Sequence, residues 1–68
     1  MPLVEVTLVE GRTPEQLRDL QVKLTDAVIE AIAAPRESIR VILRELPTTH
    51  FAIGGVPISE LRPPSAEG

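Results

Sequence analysis

Residues 13–35 read TPEQLRDLQVKLTDAVIEAIAAP. Leu17, Leu20, Leu24, Ala27, Val28, Ala31 and Ile32 recur at helical spacing and form one apolar stripe. Arg18, Asp19, Lys23, Asp26 and Glu30 take the other side. Thr13 is a good N-cap, Pro14 fits the first helical position, and Gln16 completes a Thr-x-x-Gln capping box. Glu15 suits the positive end of the helix dipole. Pro35 cannot continue the helix and biases Ala34 away from helical backbone. The spacing predicts a helix from about Pro14 to about Ala33.

Each flank of this helix alternates with the period of a strand. From Leu3 to Val9, Val4, Val6 and Leu8 share one face, and Leu3, Glu5, Thr7 and Val9 share the other. From Ile39 to Leu46, Ile39, Val41 and Leu43 share a face with Glu45, opposite Arg40, Ile42, Arg44 and Leu46. A strand, a helix of about five turns and a second strand make a β-α-β unit. The crossover is long enough for parallel strands, and such crossovers are almost always right-handed. PRES (35–38) reads as a short turn, and Pro47 ends the second strand. TTHFAIGGVPIS (48–59) holds Gly54-Gly55 between short apolar pieces, which reads as a small hairpin. The expectation is an α+β fold: one domain over residues 1–62, then a Pro-rich flexible tail at 63–68.

A chain of 68 residues buries a modest fraction of its surface and usually needs a further source of stability. Cysteine is absent, which excludes disulfides and thiolate metal sites, and one histidine is too few for an imidazole metal site. Oligomerisation remains. The composition is 43% apolar with Phe51 as its only aromatic residue. With one helix covering one sheet face, Leu3, Val9, Ile42 and Leu46 are expected bare on the other. Burying each such side chain contributes about 1.5–3 kcal/mol, so this face is expected to meet another subunit. The net charge of −3 and the lack of a basic cluster argue against nucleic acid. The apolar runs are short of a membrane span, and the N-terminus lacks the pattern of a signal peptide. The expectation is a soluble cytoplasmic protein.

Little in the chain carries chemistry. There is no Ser-His-Asp set, Walker loop or Gly-x-Gly-x-x-Gly run, and Gly54-Gly55 reads as a turn. Pro2 directly follows Met1. It suits the first residue of a strand because it has no amide to donate. Removal of Met1 would also leave it as a free secondary amine. Arg40 lies inside an aliphatic strand, where burial is unfavourable without a partner. An anion site would explain it; so would pairing with a nearby glutamate. Arg12, directly after the first strand, is an anion ligand or a solvated loop residue. His50 is a general acid–base candidate or a surface residue beside a turn, and Phe51 is a core plug or a pocket wall.

The segments PLVEVTLVEGR (2–12), SIRVIL (38–43) and HFAIGG (50–55), in this order and spacing behind an N-terminal proline, resemble the signature segments of the 4-oxalocrotonate tautomerase family. The resemblance spans nearly the whole chain apart from the tail. It implies a β-α-β fold with a C-terminal hairpin, assembled as dimers that trimerise into a hexamer. It also implies a cofactor-free keto–enol isomerase of unsaturated 2-oxo and 2-hydroxy acids such as 2-hydroxymuconate. By the same resemblance Pro2 is the general base and Arg40 holds the 2-oxo and adjacent carboxylate end. Arg12 grips the distal carboxylate of a dicarboxylic substrate, and Phe51 is the aromatic wall. Arg12 and Arg40 are then contributed by neighbouring subunits. One departure is Ala52, which stands where the family has the first glycine of Phe-Gly-Ile-Gly-Gly.

These roles are chemically consistent. An α-amine titrates near 7.7–8.0, close to working pH, as a general base should. Apolar walls and nearby guanidinium groups disfavour its charged form. Guanidinium donors stabilise an enolate-like oxygen and orient carboxylates through paired hydrogen bonds. No metal or organic cofactor is expected. Three other readings compete. A haloacrylate dehalogenase usually recruits an extra carboxylate to activate water, and HFAIGG offers none. A non-catalytic subunit of a hetero-oligomer is favoured by retention of Met1. A generic interaction module explains the apolar face but neither Pro2 nor Arg40.

Overall fold

The computed structural model describes residues 1–61. The expected tail at 63–68, and residue 62 before it, lie outside the described residues. Strand β1 (Leu3–Val9) is followed by helix α1 (Pro14–Ile32) and strand β2 (Arg40–Leu46). A hairpin of β3 (Ala52–Ile53) and β4 (Val56–Pro57) then leads into a single helical turn, α2 (Ile58–Leu61). β1 and β2 are parallel, with Leu3 beside Arg40, Glu5 beside Ile42, Thr7 beside Arg44 and Val9 beside Leu46. This is the expected β-α-β unit with a C-terminal hairpin.

The start of α1 is built as its sequence predicts. Thr13 Oγ1 accepts the Gln16 amide at 3.1 Å, and Gln16 Oε1 accepts the Thr13 amide at 3.0 Å. The helix ends one residue early, with Ala33 in the left-handed region at φ 56° and its amide donating to the Ile29 carbonyl. The apolar stripe is narrower than the spacing suggests. Leu17, Leu20, Leu24 and Val28 are half-buried, but Ala27 and Ala31 are exposed and Ile32 is 64% exposed. Two causes act together. The 19-residue helix is about 28 Å long and overhangs strands of roughly 23 Å. It also packs chiefly on β2 rather than astride both strands, which brings Thr25 and Ile29 into the half-buried set instead.

The sheet face away from α1 is bare where expected at Leu3 and Ile42, which are 52% and 43% exposed. Val9 and Leu46 correct that expectation: Val9 is buried and Leu46 is half-buried. Both stand at the end of the sheet where loops depart. There the Glu10 amide donates to the Leu46 carbonyl at 2.9 Å and Arg12 folds back onto Val9. Val9 and Ile58, each 5% exposed, are the only buried side chains among the described residues. So thin a core fits the modest buried fraction expected of a chain this short.

The Gly54-Gly55 turn has φ of 61° and 85°, the doubly positive geometry that joins two strands tightly without splaying them. Ala52 has no positive φ, so alanine at the family's glycine position is unstrained. The ladder extends one step past the Ala52–Pro57 pair, because the Ile58 amide donates to the Phe51 carbonyl at 2.8 Å. Two elements were not anticipated: the one-turn helix α2 and the 3-10 turn at Thr48–His50. Both are too short to show apolar periodicity.

Candidate active site

The two ends of the β1–β2 sheet carry different chemistry. At the starting end, Pro2 is half-buried and its carbonyl accepts the Arg40 amide at 3.1 Å. Arg40 opens β2 beside Leu3 and is exposed. Its Nη1 donates to the Ser38 carbonyl at 2.9 Å. Ser38 is itself held, because its amide and its Oγ both donate to the Pro35 carbonyl, at 3.0 and 2.8 Å. A 3-10 turn at Arg36–Ser38 thus orients the guanidinium at the end of the sheet where Pro2 stands.

No carboxylate pairs with Arg40 among the described residues. The arginine–glutamate pair of the sheet is instead Arg44 with Glu5, Nη2 to Oε2 at 2.5 Å. Register explains the choice. Glu5 sits beside Ile42, diagonal to both Arg40 and Arg44 on the same face, and the Ser38 carbonyl takes the Arg40 side chain.

At the finishing end, Gly11 at φ 132° reverses the chain after β1. Arg12 is half-buried, and its Nη1 donates to the Val9 carbonyl at 3.1 Å. It is therefore anchored at this end rather than spread into solvent. Phe51 is half-buried on the chain leaving the same end of β2, after the 3-10 turn. His50 is exposed in that turn. An open depression on α1, lined by Arg18, Gln21, Val22, Thr25 and Arg36, contains none of the candidate residues.

Within one chain, then, Pro2 and Arg40 are brought together, and Arg12 is held apart from both. The seven residues of β1 separate the two ends by roughly 23 Å, too far for one small molecule to touch Pro2 and Arg12 of the same chain. The positioning contact from Ser38 was not anticipated. It is made by a backbone carbonyl, which leaves no mark in residue type.

A family model for the tautomerase enzyme matches residues 2–61. A "Probable tautomerase" of Ralstonia nicotianae is 48% identical over 64 residues, 94% of this chain and 91% of its own length. The 2-hydroxymuconate tautomerase of a Pseudomonas species is 40% identical over 62 residues, 91% of this chain and 98% of its own. Among solved structures, the heterohexamer 4-oxalocrotonate tautomerase of Chloroflexus aurantiacus superposes with a TM-score of 0.85. It is 39% identical and covers 91% of this chain and 100% of its own. The match reaches from Pro2 to the end of α2, and the relatives share both the fold and the name of the reaction. The chain belongs to the 4-oxalocrotonate tautomerase family of the tautomerase superfamily, and it is an isomerase of that type.

Proposed function

We propose that this protein ketonises unsaturated 2-hydroxy acids of the 2-hydroxymuconate class, with Pro2 as general base once Met1 is removed, in a homohexamer. The observation that carries the reading is the placing of Pro2. It heads β1, is half-buried, and is tied through its carbonyl to Arg40. The family match begins at this same residue.

The chemistry follows from the groups at that end. The Pro2 nitrogen takes the proton of the substrate's 2-hydroxyl as the carbon–oxygen bond becomes a carbonyl. The electron pair moves along the conjugated chain, and a distal carbon takes the proton back from the protonated amine. The net change is a proton moved from oxygen to carbon. Arg40 donates to the 2-oxygen and the neighbouring carboxylate, where negative charge concentrates in the transition state. Arg12 holds the far carboxylate of a diacid, and Phe51 supplies an apolar wall. The chain carries a net charge of −3, so a dianion needs the local positive charge of these two arginines to enter.

The separation of Pro2 from Arg12 supports a site shared between copies. So do the thin core and the hexameric assembly of the Chloroflexus relative. The test is the intact mass of the purified protein, followed by ultraviolet assay of 2-hydroxymuconate ketonisation. Loss of one methionine is expected, with turnover that falls by about 10²–10⁴ in Pro2→Ala. A protein that retains Met1 yet turns over substrate, or a Pro2→Ala variant with normal turnover, overturns the mechanism. Retained Met1 without turnover favours a non-catalytic subunit.

A further inference from the structure

The Glu5–Arg44 pair has no part in the chemistry above, and its place is unusual. It lies on the sheet face that α1 does not cover, where Glu5 follows Leu3 on that face and stands beside Ile42, both of them exposed. The glutamate and arginine side chains are 42% and 52% exposed. An exposed ion pair contributes little to the stability of a single chain. On an aliphatic face that another subunit covers, the same pair loses its water, and an unmatched charge there becomes strongly unfavourable.

We infer that, in the assembly proposed above, the Glu5–Arg44 pair is what makes this face accept a like copy. The argument is charge complementarity. The patch carries one negative and one positive group, set diagonally across β1 and β2. A copy facing it in the reverse sense offers arginine to glutamate and glutamate to arginine. A subunit with a single sign of charge at these positions meets like charge, a discrimination of the kind that selects partners at interfaces. The self-complementary pair also offsets locally the repulsion between two copies that each carry a net charge of −3. The inference rests on the assembly proposed above and adds the element that selects its partner.

The experiment measures subunit dissociation by sedimentation equilibrium and composition by native mass spectrometry, on the full chain. Glu5→Gln and Arg44→Met each leave one charge unmatched, and each is expected to raise the dissociation constant by about a hundredfold or more. The double exchange Glu5→Arg with Arg44→Glu keeps a pair in reversed order and is expected to self-assemble like the unaltered chain. Lys23→Met breaks the exposed Asp19–Lys23 pair on α1 and is expected to change nothing. The decisive arm needs only chains that fold. Unaltered and doubly exchanged chains, unfolded and refolded together, are expected to sort into separate oligomers, because a mixed contact sets like charges against each other. Statistical mixing overturns the inference. So do single variants that assemble like the unaltered chain, or an unaltered chain that assembles only with a different protein. Turnover of 2-hydroxymuconate by the unaltered chain is read in parallel. Mixing with turnover defeats the inference and leaves the enzymatic reading standing; sorting without turnover does the reverse.

Discussion

Arg40 and Arg12 are the same residue type with different mechanical situations, and the difference foretells how each variant fails. Arg40 is joined to Pro2 through the backbone, and its guanidinium is steadied by the Ser38 carbonyl. On the proposed mechanism it meets charge that develops during the reaction. Arg40→Ala is therefore expected to lower kcat by about 10²–10³. Arg12 is anchored to the Val9 carbonyl at the opposite end of the strand. On the same mechanism it meets there a carboxylate that is charged before and after the transition state alike. Arg12→Ala is expected to raise KM for 2-hydroxymuconate by about tenfold or more with kcat little changed, the mark of lost uniform binding. Phenylenolpyruvate, which has no distal carboxylate, should be nearly insensitive to Arg12→Ala. Steady-state kinetics on the two substrates checks the pair of claims, and an equal loss on both substrates would remove Arg12 from carboxylate binding.

What could be read from the sequence divides along the same line as what is local in the elements. The start of α1 is encoded within four residues, and Thr13 and Gln16 bond as their spacing requires. The glycine turn of the hairpin is equally local. The far end of α1 is different. Ala33 takes a left-handed conformation that a side chain with a Cβ disfavours by about 1–2 kcal/mol. No local signal marks it, because alanine is also the best helix former. The exposed Ala27, Ala31 and Ile32 were likewise hidden, since their exposure depends on where the helix sits across the sheet. At the site, Pro2, Arg12 and Arg40 stand out by residue type and position. The Ser38 contact and the Glu5–Arg44 pair do not, because one uses a backbone acceptor and the other needs the strand register. The two ends of α1 make opposite expectations. Thr13→Ala removes the cap and should destabilise by about 1 kcal/mol. Ala33→Gly relieves the left-handed backbone and should stabilise by roughly 0.5–1 kcal/mol, after the entropy that glycine adds to the unfolded chain. Denaturant unfolding at fixed protein concentration checks both, since association shifts apparent stability.

Taken as a molecule, the chain carries its candidate residues at opposite ends of a parallel two-stranded sheet, with Val9 and Ile58 as its buried side chains among the described residues. On the proposed assembly folding and function are one problem, because the contact that supplies the missing core would also bring the Arg12 end of one copy to the Pro2 end of another. Complementation tests this directly. A Pro2→Ala chain retains a sound Arg12 and an Arg12→Ala chain retains a sound Pro2, and each homo-oligomer is impaired at every site. When the two are unfolded and refolded together in equal amounts, chains combine at random. A site that draws Pro2 and Arg12 from different copies receives both intact groups about one time in four, by the statistics of a symmetric assembly of mixed chains. The mixture should therefore recover kcat/KM for 2-hydroxymuconate to about a quarter of the unaltered level, whereas simple mixing without refolding recovers nothing. If both residues acted within one chain, no combination of the two variants could build an intact site. Refolded mixtures would then show only the mean of the two parents, and the shared-site reading would be lost.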